Sequence, residues 1–142
     1  MEYKLLEEQD LELMLDFVDD ENTKYNIENL KKFIENDNSY GFIAKENNKI
    51  IAFATGFVLI HPNEEKVFYF DTIDVMNDYQ GEGIGTKLMI YTRNYAKSIG
   101  CSEMFLVTNK SNISACRCYE KSGGKSEASD DIVYVYDFKG DQ

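Results

Sequence analysis

The 142 residues hold 26 acids against 15 bases, a formal charge of −11, with 43% apolar side chains. That length fits one domain with a real core, and residues 1–142 are read as one unit. The negative balance argues against nucleic acid and anionic membranes as partners. No apolar run is long enough to span a bilayer, and the charged start Met1-Glu2-Tyr3-Lys4 is not a signal peptide. Three cysteines, an odd count, argue against a disulfide framework, and a single histidine argues against a zinc site, so no metal is expected. Free thiols suit a cytoplasmic setting. Charge is uneven: residues 1–40 carry 12 acids and 4 bases, net −8, while residues 77–125 carry 4 acids and 7 bases, net +3.

In chain order, Glu2–Leu6 reads as a strand. Leu11, Met14, Leu15 and Val18 recur with helical spacing, as do Ile27, Leu30, Phe33 and Ile34. Tyr40–Lys45 and Lys49–Ile60 read as strands joined by Glu46-Asn47-Asn48, an antiparallel hairpin. Lys66–Met76 is a further strand of uneven pattern. Phe68 and Phe70 fall on one parity, Ile73 and Val75 on the other, the pattern either of a β-bulge near Asp71-Thr72 or of a strand buried on both faces.

Ile84, Leu88, Tyr91, Tyr95 and Ile99 form one stripe of a long helix stopped by Gly100. Glu103–Thr108 reads as a strand, Ile113–Ser122 as a short helix and Ile132–Phe138 as a final strand. The order predicts an α/β fold with a mixed sheet. The hairpin requires antiparallel pairing, and the strand–helix–strand unit requires one parallel pairing.

Between the strand and the long helix stands Gln80-Gly81-Glu82-Gly83-Ile84-Gly85. Glycines here let backbone N–H groups turn toward an anion, and the helix adds its positive dipole end. The order Gly85-Thr86-Lys87 is wrong for a Walker loop, and the spacing is wrong for a dinucleotide fingerprint.

Gln80-x-x-Gly83-x-Gly85 resembles the Gln/Arg-x-x-Gly-x-Gly/Ala motif of the GCN5-related N-acetyltransferases (GNAT). Val75 lies five residues before it, where that family's fourth strand ends. Asn112-Ile113-Ser114-Ala115-Cys116-Arg117-Cys118-Tyr119-Glu120-Lys121-Ser122-Gly123 resembles the family's Asn-x-x-Ala-x-x-x-Tyr-x-x-x-Gly segment. Within the family, Phe70–Val75, Arg117–Lys121 and Asp130–Phe138 look most like the aminoglycoside N-acetyltransferases. Gly124 departs from the pattern, where an aromatic or apolar residue is usual.

The resemblance implies a central, mostly antiparallel sheet with its parallel pairing at a splayed fourth and fifth strand, and helices on both faces. It implies acetyl-CoA as cofactor, with the pyrophosphate on backbone N–H groups from Gly81 through Glu82, Gly83, Ile84 and Gly85 to Thr86, and Gln80 and Lys87 nearby. The backbones of Ile73 and Val75 would pair with the pantetheine arm, and an N–H at Ile73 or Asp74 would stabilise the oxyanion. Asn112 would contact the cofactor, and Ala115 would leave room for it. Tyr119 would protonate the leaving thiolate; an ordinary phenol, pKa about 10, still carries its proton at neutral pH. Asp71 or Asp74 would hold the ammonium group or take its proton.

The expected acceptor is a primary amine of a cationic small molecule, aminoglycoside-like or polyamine-like, on an acidic surface. Asp10–Glu35, Asn63-Glu64-Glu65 or Asp130-Asp131 would supply that surface, and Tyr25, Tyr40, Tyr134 or Tyr136 walls. Protein N-acetylation and a non-catalytic acyl-CoA-binding module are the competing readings. Homodimers are common in the family, and the C-terminal strand is the place where exchange or pairing is expected.

Overall fold

The computed structural model describes residues 1–126 and 130–139. Five strands form one sheet in the order β1-β2-β3-β4-β5: β1 Glu2–Leu5, β2 Ser39–Glu46, β3 Lys49–Ile60, β4 Lys66–Val75 and β5 Glu103–Phe105. The first three pairings are antiparallel, and β4 pairs with β5 in parallel. The helices are α1 (Ile27–Glu35), α2 (Ile84–Ser98) and α3 (Ile113–Lys121), with 3₁₀ helices at Glu8–Asp16 and Asn77–Tyr79.

Both faces of the sheet are covered, as the near-continuous apolar runs of β2 and β3 require. Phe42, Ile51, Phe68 and Phe70 pack with Ile84 and Leu88 of α2. On the other face Ile43, Ile50 and Phe53 pack with Leu11, Met14 and Phe17 of the first 3₁₀ segment and with Leu30 of α1. Aromatic edges lock the α2 side, where Phe42 and Tyr95 lie 5.5 Å apart, centroid to centroid.

The β-bulge stands at the expected place. Thr72 pairs with Thr55 and Phe70 with Gly56, so the register skips Asp71. The extra residue brings Phe68, Phe70, Ile73 and Val75 to one face, against α2. Gly56 is required here, because a Cβ would fall 2.2 Å from the Phe68 ring.

Three expectations need correction. The helical part of the Leu11–Val18 segment is a 3₁₀ helix that ends at Asp16, so Leu11 and Met14 are buried three residues apart and Leu15 is exposed; Phe17, buried, and Val18, exposed, lie in extended chain past its end. The fifth strand ends at Phe105 rather than Thr108, because β4 turns away at its bulge and gives it no further partner. Ile132–Phe138 belongs to no strand: it has no ladder partner among the described residues, and a strand exists only as half of a pair.

Candidate active site

The site forms where β4 parts from β5. Their pairing covers only Val67, Tyr69 and Phe68 between them, so β4 beyond the bulge has one open edge. The Met76 N–H donates to the Ile51 carbonyl on β3. By alternation the Asp74 backbone faces β3 as well, and the backbones of Ile73 and Val75 face the open edge. Of the two candidate oxyanion donors, the N–H that faces the opening is therefore that of Ile73.

The glycine loop leads directly from this edge into α2. Gly81 and Gly83 hold φ of +83° and +80°, which glycine adopts freely and other residues rarely do. No heavy atom lies within 4 Å of where a Cβ would stand on either, so the space before them is open. Gly83 caps α2 without any side-chain hydrogen bond. The first intrahelical bond runs from the Lys87 N–H to the Gly83 carbonyl at 3.1 Å, leaving the N–H groups of Ile84, Gly85 and Thr86 without helical partners. The Ile84 side chain is buried and anchors the turn, while Glu82 and Lys87 are exposed. Gly85 faces Val75, with 3.6 Å between a built Cβ and Cγ2, an ordinary contact.

Gln80 does not point outward to an anion. Its Nε2 donates to the Val75 carbonyl at 3.0 Å and to Asn77 Oδ1 at 3.2 Å, bracing the loop against the end of β4.

On the far side, Asn112 caps α3 and accepts from the Ala115 N–H at 3.2 Å. Tyr119 is half-buried on α3 and packs edge-on against Phe70. Burial, reinforced by Cys118, Cys116 and Asp74, pushes its phenol pKa up, so the ring keeps its proton well beyond neutral pH. Gly124 finds its reason here: its N–H donates to the Tyr119 carbonyl at 2.8 Å, and a Cβ would lie 2.9 Å from that oxygen.

The two candidate carboxylates differ. Asp71 is the bulged residue and is exposed beside Tyr69. Asp74 pairs with Phe53 on β3 and is half-buried. Burial and then the charges of Asp19, Asp20 and Glu21 push its pKa up to about 6. The acidic segment is itself ordered: Asp19 Oδ1 accepts the N–H groups of Glu21 (3.1 Å) and Thr23 (2.8 Å), and Oδ2 accepts the Tyr25 hydroxyl at 3.3 Å. Tyr25 stands edge-on to Phe53 at 5.7 Å, and its pKa rises to about 12 through burial and Asp19.

A cavity of about 290 Å³ adjoins this cluster, lined by Thr23, Tyr25, Asn29, Phe33, Phe53 and Thr55. Thr55 and Thr72 share a hydroxyl hydrogen bond at 2.6 Å across the bulge.

Of the four tyrosines weighed as walls, only Tyr25 lines this cavity. Tyr40 packs with Phe42 and Tyr95 on the α2 side, and Tyr134 and Tyr136 are exposed outside any element. Glu65, just before β4, accepts the Ser102 hydroxyl at 2.7 Å, beyond the opposite end of the strand from Asp74. Asp19 went unnamed in the sequence, although its run Asp19-Asp20-Glu21 was the available signal. No group of three metal-ligating side chains occurs among the described residues.

A splayed strand edge, a glycine cradle at a helix N-terminus and a half-buried tyrosine opposite frame a cleft open to an extended ligand with an anionic middle. The acetyltransferase (GNAT) family model matches residues 6–124, and the chain belongs to that family, whose members use acetyl-CoA as acyl donor. An aminoglycoside acetyltransferase, meta-AAC0020, from an uncultured soil metagenomic sample and crystallised with sisomicin, superposes with a TM-score of 0.76 at 26% identity. The match covers 95% of this chain and 93% of that one. The ribosomal-protein-alanine N-acetyltransferase of Brucella melitensis biovar Abortus 2308 shares the fold, with a TM-score of 0.73 at 15% identity, covering 95% and 100%. N-alpha-acetyltransferase 30 of Schizosaccharomyces pombe is 27% identical over 84 residues, 59% of this chain. That match spans 56% of the curated relative's length.

Proposed function

We propose that this chain, as a single domain, transfers an acetyl group from acetyl-CoA to a primary amine of a cationic small molecule, aminoglycoside-like or polyamine-like. The observation that carries the reading is Asp74, half-buried at the end of β4 within the field of Asp19, Asp20 and Glu21. A carboxylate held among like charges gains most from a cation beside it. The sisomicin-bound aminoglycoside acetyltransferase, similar over nearly the whole chain, supports the same acceptor class.

The cofactor supplies an activated acetyl group and a thiolate leaving group. The N–H groups of Gly81 to Thr86 would hold its pyrophosphate, where the space before Gly81 and Gly83 is empty of side chains. Ile73 and Val75 offer backbone groups at the open edge, and the Ile73 N–H stabilises negative charge on the reacting carbonyl oxygen. Asp74 takes the proton of the acceptor ammonium, directly or through water, and Tyr119 Oη delivers a proton to the leaving sulfur. Asn112 and Ala115 bound the cofactor's path at the start of α3. Working on small cations in the cytoplasm, such an enzyme would confer antibiotic resistance if its acceptor is a drug.

N-terminal peptide acetylation is the second reading, favoured by the partial match to N-alpha-acetyltransferase 30. Thiol release from acetyl-CoA, measured across aminoglycosides, polyamines and peptides, separates the two. Turnover confined to peptides would overturn the small-cation reading, and turnover with none would overturn both.

A further inference from the structure

The cavity beside Asp74 has walls that the acetyl transfer itself does not use. Its floor is Leu30 and Phe53, both only 5% exposed, and the rings of Tyr25 and Phe33 stand at its sides. Most polar groups around it are already engaged within the chain. Tyr25 gives its hydroxyl to Asp19, and Thr55 shares its hydroxyl with Thr72. Asn26 accepts the Asn29 N–H as the cap of α1, and Asp19 takes both the N–H and the hydroxyl of Thr23. The surface left to a ligand is mainly hydrocarbon, with Asn29 and Lys24 exposed at the rim.

Size and position narrow the occupant. A volume of about 290 Å³ is roughly twice the ~150 Å³ apolar cavity that accepts a benzene ring, so one ring and a short linker fill it. Phe53 is the register partner of Asp74, and side chains directly opposed across a ladder stand about 4.5–5.5 Å apart at Cβ. A group seated on Phe53 is therefore about two to four bonds from an amine held by Asp74. The Lys24 ammonium at the rim repels the cationic end of a ligand, which leaves the carboxylate side as the place for it.

We infer that this cavity is a side pocket of the acceptor site, and that it takes a hydrocarbon ring carried a few bonds from the amine that is acetylated. Resting on the acetyl transfer proposed above, this narrows the cationic acceptor to an amine with an apolar arm of ring size. Leu30, Phe33, Phe53 and the Tyr25 ring receive the arm, and Asp74 receives the amine. Apolar fit and charge are thus read by different residues.

Ethylamine and phenethylamine separate the two, since they share one charge and one primary amine and differ only in the ring. In thiol release, kcat/KM is expected to favour phenethylamine by about tenfold or more. Asn29→Trp keeps the backbone N–H that Asn26 accepts and places an indole over the cavity. It is expected to erase the preference while kcat/KM for ethylamine and the melting temperature hold. Calorimetric titration of the two amines, which needs no turnover, is expected to rank them in the same order. Similar kcat/KM for both amines would overturn the pocket and leave the acetyl transfer standing, as would a folded Asn29→Trp that keeps the preference. Turnover of no amine would count against the acetyl transfer, and the titration then decides the pocket, with equal affinities overturning it. If Asn29→Trp does not fold, the two wild-type measurements decide.

Discussion

The Tyr119 ring meets Phe70 edge-on, with 6.3 Å between centroids, and so fixes the tyrosine of α3 above β4 one residue before its bulge. Below that ring the Tyr119 carbonyl is held by the Gly124 N–H and the Ser122 hydroxyl, at 2.8 and 2.9 Å. Phenylalanine preserves this packing and removes only the hydroxyl. Tyr119→Phe is therefore expected to lower kcat by about 10²-fold while the KM for acetyl-CoA and the melting temperature hold. Steady-state thiol release and a thermal melt check this; an unchanged kcat removes Tyr119 from proton transfer.

Asp74 is expected to set the acid limb of the pH profile. Its pKa in the fold, about 6, means that the base form fills between pH 5 and 7. kcat/KM for the acceptor is expected to rise through that window, and Asp74→Asn is expected to lower the rate and flatten the limb. Stability follows the opposite course. A carboxyl whose folded pKa is raised favours the protonated fold, so its contribution is full below the unfolded value of about 4 and is lost as pH rises through about 6. Asp74→Asn is thus expected to raise the melting temperature at pH 8 relative to wild type, with the gain gone at pH 4.

The glycines of the cradle divide by cause. At Gly83, φ of +80° costs a side-chain-bearing residue about 1–2 kcal/mol, and any Cβ enters the space before the loop. Gly83→Val is expected to abolish coenzyme A binding in calorimetry. Gly85→Ala is expected to retain it, because the added methyl meets Val75 at an ordinary 3.6 Å. Equal behaviour of the two variants would contradict this division.

Asp10 holds the acidic segment's 3₁₀ helix to the sheet. Its carboxylate, with no exposed surface, accepts Lys4 Nζ at 2.7 Å, Lys45 Nζ at 3.2 Å and the Glu7 N–H at 3.0 Å. Burial alone would raise its pKa; these three donors outweigh it and lower the value. Asp10→Ala leaves two lysines facing an empty pocket and is expected to cost about 3 kcal/mol in urea unfolding. Its stabilisation is present above the unfolded pKa and fades as pH falls through the lower folded one. A loss under about 0.5 kcal/mol would show the triad to be inert.

Local patterns carried most of this fold. The parity change between Phe70 and Ile73 marks the bulge because alternation is a property of the strand itself. The positive φ at Gly81 and Gly83 is legible for the same reason, since only glycine takes it without strain. Three features resisted because they depend on distant partners. Asp10 looks like any acid of an acidic run until Lys45, 35 residues away, is brought beside it. Asp71 and Asp74 look alike until the bulge leaves one exposed and turns the other toward Asp19. Gly124 looks like a departure until the Tyr119 carbonyl occupies the place of its Cβ. The Glu8–Asp16 helix misled for another reason: over so short a stretch, periods of 3.0 and 3.6 residues differ by a single apolar position.

The most direct test compares kcat/KM for a polyamine or aminoglycoside with that for a singly charged amine, by thiol release at low salt. The wild type is expected to prefer the polycation by about tenfold or more, as an acidic cleft concentrates cations. That preference is expected to shrink in Asp74→Asn. No preference, or one unchanged by Asp74→Asn, would contradict the assignment of this acidic site to a cationic acceptor.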